Sequence, residues 1–512
     1  MQSKLLKKHF PLTILISLGL LIALARFHTY DEPFERDLMT YAVMAHEMLA
    51  GRELYSDLWD IKPPGIYLTY AAAELIAGYG PNSIYLLNIV AAIITLFGVY
   101  FAGTALTGGR RSGGLWAAAC WAILAGELQL EANQPNTEVF MNACLIWVWV
   151  LFVKADWNFS YRKAIWIGLL IAWATLYKQI IIVTLFLLGG TYLIMLPAKL
   201  ERRLALTQVM IMLGTVGIVW ISVFSYFAIL GRFKAFYDTI FIYNQYYAGS
   251  AVKNILRGLF IPQQLFPPFP QLAYPLIVLA IILGTLILFS RKRTWIFWLA
   301  YAVAIQIMVA LPGKFFSHYY QLWLPLLAVG FGGAIIELGK IIKPIWISQL
   351  VATILIIALL YLHLPQYQLE PIEWSRKKYG DLFIITKNLA QEIDNLLQKD
   401  ETFYEWGHHV GLYYYTQHRP PTGVFPTGAL INGPLVQELS QRVIADLERN
   451  NPEMLILDHN PSVLKNQPLV LKWLFSKYTW IPIEIKTPAA SNYFSVFARR
   501  GGHLESQLLI NK

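Results

Sequence analysis

Charge is scarce in this sequence. Asp, Glu, Lys and Arg make up 14% of its 512 residues, against roughly 25% in a soluble globular chain, so an ordinary water-solvated globule is excluded. Cysteine is almost absent as well. Cys120 and Cys144 both fall inside apolar runs, which excludes a disulfide framework and a cysteine-built metal site and leaves them as packing or lipid-facing residues. Acidic residues are the minority, 31 against 41 basic ones. In a soluble protein that balance would point to nucleic acid. Here the basic side chains sit in short segments between apolar blocks, the arrangement of cytoplasmic loops, and no nucleic-acid partner is expected. What the chain has in abundance is hydrophobic residues, 56% of the total, gathered into blocks rather than spread at helical or alternating spacing.

A short basic start (Lys4, Lys7, Lys8) precedes an apolar run over 10–25. Ala23-Leu24-Ala25 is similar to a signal-peptide cleavage site, but an uncleaved first helix suits a chain with many later spans, and either reading puts the next segment outside. Further blocks fall at 83–107, 112–129, 139–153, 164–177, 180–197, 205–230, 272–290, 294–311, 320–339 and 345–362. The stretch 164–197 is divided because one helix of that length far exceeds a hydrocarbon core of roughly 30 Å. It would also set the basic groups around 154–163 and 199–203 on opposite sides. About eleven transmembrane helices result. The charges then sort: the inner segments 1–9, 108–114, 154–163, 199–203, 291–293 and 340–343 hold 16 Lys or Arg in 38 residues, whereas the outer segments 26–80, 131–138, 178, 231–270 and 312–319 hold 10 in 112. The expected fold is therefore a polytopic α-helical membrane protein with a cytoplasmic N-terminus.

Beyond 362 the apolar blocks stop. The expected elements are a helix over 379–397, a strand over 401–406, a turn at Gly407-His408-His409, a helix over 435–449, and strands over 454–457 and 493–497. That alternation predicts a soluble α/β domain at 363–512 following a transmembrane domain at 1–362, and an odd number of crossings places it outside the cytoplasm. Two adjacent histidines without further ligands read as a turn rather than a metal site.

The first outer loop, 26–80, has nine acidic residues against four basic ones. Residues 38–49 have apolar side chains at helical spacing and predict an amphipathic helix along the membrane interface. Asp37 stands at its start, where a carboxylate also serves as a helix cap. A second acidic pair, Asp57 and Asp60, precedes Lys62-Pro63-Pro64-Gly65, whose prolines stiffen the backbone and fix where Lys62 points; a turn with an incidental lysine gives the same pattern. Aromatic residues of segment 231–270, such as Phe236, Tyr243 and Tyr246, are expected to anchor at the headgroup region, with stacking on sugar rings as the other reading.

Phe34-Glu35-Arg36-Asp37 with Tyr41, then Met48-Leu49-Ala50-Gly51, Tyr55, Asp57 and Lys62-Pro63-Pro64-Gly65, resembles the first periplasmic loop of the GT-C glycosyltransferases. More narrowly it resembles the bacterial relatives of the protein O-mannosyltransferases and of the aminoarabinose transferase that acts on lipid A. Tyr404-Glu405-Trp406-Gly407, followed by Leu412-Tyr413, is similar to tails in this group. Many members have Asp-Glu where this chain has Asp37-Leu38, and an Asp31-Glu32 pair just upstream offers a rival base.

The resemblance implies a GT-C-like fold in the plasma (inner) membrane. It implies transfer of a sugar from a polyprenyl-phosphate donor to an acceptor hydroxyl on protein, lipid or polysaccharide at the outer face, with inversion. Asp37 is the implied general base. The departing phosphate needs cations more than an acid, and the candidates are Lys62, Lys178 between two apolar blocks, and His318. Lys178 also reads as a lysine snorkelling from a helix end. Tyr41, Asp60, Glu138 and Tyr319 are implied supporting or acceptor contacts, although Glu138 at a helix start and an interfacial His318-Tyr319 pair occur without any ligand. No cofactor is required; acidic residues near Lys62 could host a divalent metal, but no spacing demands one. A transporter or flippase of a lipid-linked substrate would need ionisable or broken helices at mid-membrane, often in repeated halves, and no repeat is visible. A non-catalytic scaffold with the tail as its binding module is the third reading.

Overall fold

The structure, a computed structural model, describes residues 2–153, 160–196, 201–265, 293–464, 468–481 and 493–510. The expected span at 272–290, and parts of the expected inner segments (154–159, 199–200 and 291–292), lie outside the described residues. The other ten apolar blocks all form helix. Among the described residues, six helices are long and apolar enough to cross a membrane: Phe10–His28, Pro81–Leu106, Arg202–Ile229, Arg293–Ala310, Ser317–Ile341 and Trp346–Gln368. Thr137–Val153 and Gln179–Ile194 are shorter apolar helices. The chain is a polytopic membrane protein. The division of 164–197 is visible as two helices, Tyr161–Thr175 and Ile182–Ile194, separated at Lys178 by extended backbone and a single 3₁₀ turn.

Contacts gather the chain into two compact units, one comprising Met1–Tyr30, Tyr85–Ser225 and Ala248–Glu370, the other Asp31–Ile84, Tyr226–Tyr247 and Pro371–Lys512. In the first, helices approach closely at small residues: a side chain at Gly332 would run into the Gly113 carbonyl and Ala117. Lipid gives no hydrophobic drive for helices to associate, so such close backbone packing is what holds them. Indole N–H groups buried between these helices find backbone carbonyls, Trp121 on Ala92, Trp149 on Phe297 and Trp298 on Leu326, each at 3.1 Å.

The second unit is built on a four-stranded mixed sheet. Label the strands β1 (Leu58–Trp59), β2 (Phe403–Trp406), β3 (Gly423–Val424), β4 (Met454–Asp458), β5 (Tyr478–Trp480) and β6 (Phe494–Arg499). The sheet order is β2-β4-β6-β5, with β2 parallel to β4 and the other pairs antiparallel. The amphipathic helix Val436–Asn450 buries Leu439, Val443 and Leu447 in the unit's apolar core. The expected helix over 379–397 is the helix Leu382–Leu396; a further helix, Pro371–Tyr379, precedes it across Gly380, whose φ of +69° suits glycine.

The first loop is part of this core. Its β1 pairs in parallel with β3, and Trp59 lies among Tyr404, Trp406, Val424 and Leu439. The Arg442 guanidinium donates to the Tyr55 and Asp57 carbonyls. Two expectations change here. The Arg36–Leu49 helix buries Leu38 through Ala45 in succession, on all its faces, so it is a core helix and not an interfacial one. Phe236 and Tyr243 are likewise buried, Phe236 stacked on Phe227 and Tyr243 set edge-on against Trp59, so these two pack the unit rather than anchor it.

Candidate active site

The N-terminus of the Arg36–Leu49 helix is capped by Glu35, whose carboxylate accepts the Asp37 backbone N–H at 2.9 Å. Capping therefore falls to Glu35, and the Asp37 side chain is turned to other partners. One turn on, the Tyr41 hydroxyl donates to Asp37 Oδ2 at 3.2 Å, the i,i+4 spacing that puts two side chains on one helix face. Lys62 Nζ stands 3.8 Å from the same oxygen and 6.0 Å from the centre of the Tyr41 ring. Both charged groups keep some contact with solvent, 28% for the Asp37 side chain and 14% for Lys62.

The backbone that delivers Lys62 is fixed from two sides. Tyr55, at φ +71°, donates its hydroxyl to the Lys62 carbonyl at 2.9 Å, and the Asn244 amide donates to the Ile61 carbonyl at 2.7 Å. Pro63 and Pro64 then lead into the Gly65–Ala77 helix. Asp60 is buried and accepts the Tyr67 hydroxyl at 2.6 Å. Burial pushes its carboxyl above the usual range, with Lys62 and the Tyr67 hydrogen bond pulling the other way. Glu32 forms a buried ion pair with Lys378, and Asp31 is exposed.

The remaining candidates lie in the other unit and form their own group. Lys178 is ion-paired with Glu138, and its ammonium sits 3.9 Å from the centre of the Tyr319 ring. With 11% of its side chain exposed, Lys178 is a buried, partnered cation and not a snorkelling one. His318 Nδ1 is 3.6 Å from Glu131, which also accepts the Ser317 hydroxyl at 2.9 Å. Of the candidates, the structure thus brings together Asp37, Tyr41 and Lys62 with Asp60 nearby in sequence, and separately Glu138, Lys178 and Tyr319.

Two participants, Glu131 and Asp458, had no sequence signal. Glu131 takes the contact with His318, at a non-glycine residue with φ +59° that hydropathy cannot reveal. In the second unit Arg36, Glu405, His408, His409 and Asp458 interact electrostatically, and His408 also senses Asp37. His409 Nε2 is 2.9 Å from Asp458, while Arg36 Nε and His408 Nε2 are buried without hydrogen-bond partners among the described residues. Burial holds both histidines below the usual imidazole range. Among the described residues the trio with ligand atoms close enough for a metal is Glu401, Glu453 and His503, not the adjacent histidines.

Comparison with solved structures identifies the class. ArnT from Cupriavidus metallidurans, bound to undecaprenyl phosphate, superposes with a TM-score of 0.56 at 14% identity, over 96% of this chain and 98% of that one. An oligosaccharyltransferase from Archaeoglobus fulgidus, tethered to an acceptor peptide, gives 0.55 at 11% identity, over 93% and 73%. The AglB oligosaccharyltransferase of the same organism, with an inhibitory peptide and a dolichol phosphate, gives 0.53 at 11%, over 88% and 70%. The chain is a membrane protein with the GT-C glycosyltransferase fold. Residues 61–227 match the family of dolichyl-phosphate-mannose-protein mannosyltransferases. No curated protein matches it by sequence.

Proposed function

We propose that this protein transfers a sugar from a polyprenyl-phosphate donor to an acceptor hydroxyl at the outer face of the plasma (inner) membrane, in one inverting displacement. The observation that carries the proposal is Asp37 Oδ2, shared between the Tyr41 hydroxyl and the Lys62 ammonium. The acceptor oxygen attacks the anomeric carbon from the face opposite the phosphate, its proton passes to the Asp37 carboxylate, and the carbon–oxygen bond to phosphate breaks. Polyprenyl phosphate leaves with the electron pair, and Lys62 balances its charge. Tyr41 orients the base, and Asp60 with its Tyr67 partner holds the turn that carries Lys62.

The roles of Lys178 and His318 at the donor phosphate, and of Glu138 and Tyr319 as supporting contacts, rest on the family resemblance. Each is tested by its own substitution. In this reading 1–362 is the transmembrane catalytic part including the first outer loop 26–80, the N-terminus is cytoplasmic, and 363–512 faces the outer compartment. The relatives' lipid phosphates, undecaprenyl in ArnT and dolichol in AglB, support a lipid-linked donor. The deciding experiment incubates purified protein with a panel of polyprenyl-phosphate sugars and compares wild type with Asp37→Asn. Unchanged transfer by the variant removes the proposed base. Movement of the lipid-linked sugar across a vesicle membrane without transfer points to a flippase instead.

A further inference from the structure

The second unit contains a cavity of about 220 Å³ beside the C-terminal half of the Arg36–Leu49 helix. Asp37 lies at the other end of that helix. The ten residues from Asp37 to Glu47, at 1.5 Å of rise each, separate them by ~15 Å. The displacement described above uses none of the cavity's residues.

The lining mixes apolar and polar groups, and its acidic Glu47 is matched by Arg419. Glu47 is 4% exposed. Its Oε2 accepts Arg52 at 3.3 Å and Arg419 at 3.1 Å, while among the described residues no hydrogen bond reaches Oε1. One carboxylate oxygen is therefore open while the charge is already matched, which suits an incoming O–H donor. Arg419 keeps 61% of its side chain exposed and has N–H groups to spare. Gln417 brings an exposed amide from a position held at φ +57°. The wall beside them is aromatic: the Tyr79 ring stacks on His46 with centroids 4.0 Å apart and planes 20° apart, and Tyr413 lines the same space. His46 in turn faces Glu74 at 2.7 Å.

An anionic ligand would meet the Glu47 carboxylate here, and a cationic one the Arg419 guanidinium. A neutral ring bearing several hydroxyls meets acceptors and donors in turn, and its C–H surface fits the aromatic wall. The volume holds one such ring. We propose that this cavity binds one neutral sugar unit of the acceptor. The inference rests on the transferase reading and deepens it by making the acceptor a glycan.

The test measures saturation-transfer NMR from the full chain in lipid nanodiscs, without maltoside detergents, to the methyl glycosides of glucose, galactose, mannose and N-acetylglucosamine. At least one should show ring-proton contacts in wild type and equally in Asp37→Asn. Glu47→Gln and Tyr79→Ala should weaken that binding ~10-fold, the scale of one lost charge-assisted hydrogen bond. Gln417→Gly serves as a variant that folds, because glycine accepts the positive φ, and it should weaken binding as well. No contact from any glycoside, or binding unchanged in all three variants, overturns the cavity assignment while leaving the Asp37 chemistry intact. Transfer that survives Asp37→Asn overturns the reaction without touching the binding result.

Discussion

Lys62 Nζ stands 3.8 Å from Asp37 Oδ2, across a loop whose backbone is held by Tyr55 and Asn244. The pair has two separable jobs, proton removal and charge balance at phosphate, so its two members should fail differently. Asp37→Asn should lower kcat by roughly 10²–10⁴ with little change in donor KM. Lys62→Met should lower it by roughly 10²–10³, and Lys62→Arg should recover part of that. Steady-state rates with a polyprenyl-phosphate sugar provide the check, and equal loss in Lys62→Met and Lys62→Arg would contradict the charge role.

Tyr41 orients the base without carrying a proton away. Tyr41→Phe removes one hydrogen bond to Asp37 Oδ2, worth about 1 kcal/mol, so kcat should fall about fivefold. A drop as deep as that of Asp37→Asn would assign Tyr41 a direct part in the chemistry. The same kinetic assay reads both.

The spans were legible because a bilayer demands long apolar runs, and length together with the flanking basic groups separated 164–177 from 180–197. The Asp37, Tyr41 and Lys62 grouping was legible from the first-loop motif. Partners distant in sequence were not. Glu32 and Lys378 meet through the fold, and nothing in either local sequence marks the other. The β1–β3 pair has two residues per strand, too short for any alternation to register. Glu35 and Asp37 sit two positions apart at one helix start, and only the geometry shows which of them caps it.

Glu32 and Lys378 each have 1% of the side chain exposed. Removing one partner leaves a buried charge, which typically costs about 3–5 kcal/mol, whereas replacing both is often close to neutral. Lys378→Met should therefore lower the thermal midpoint sharply, and Glu32→Gln with Lys378→Met should recover most of the loss. If Asp37 is the base, the double variant should retain transfer within severalfold of wild type. Loss matching Asp37→Asn in a folded double variant would transfer the role to Glu32.

Glu405, buried in β2, is pushed up from 4.5 to about 8, chiefly by burial and further by Asp458, against hydrogen bonds from the His408 and His409 backbone and the nearby Arg36. The folded chain then holds a proton that the unfolded chain releases from about pH 4.5 upward, so this contribution to stability declines as pH rises to about 8. His408 and His409, lowered by burial, act on the other side: the unfolded chain takes up their protons below about 6.5, and stability is lost as pH falls. Between pH 6.5 and 8 only the glutamate limb remains, at most roughly 2 kcal/mol. Thermal unfolding over this window should show a falling midpoint in wild type and a flat one in Glu405→Gln.

Trp59 joins the position of Lys62 to the stability of the second unit. It is 1% exposed, lies edge-on to Tyr243 at 5.0 Å, and packs with Trp406 and Val424. Its indole N–H is buried without a partner among the described residues, so its contribution is volume and not hydrogen bonding. Trp59→Ala should cost about 3–5 kcal/mol through the cavity it leaves. Trp59→Phe removes the unsatisfied N–H along with part of the volume and should cost much less. Because Lys62 follows three residues later on the same strand-and-turn segment, Trp59→Ala should also lower kcat although the indole touches no reacting group. Hydrogen exchange should locate the cause: amides of β2 and β4 should lose protection in Trp59→Ala, while those of the Arg293–Ala310 helix in the other unit should keep theirs. Reduced transfer with unchanged protection in β2 and β4 would instead give Trp59 a direct role at the substrate.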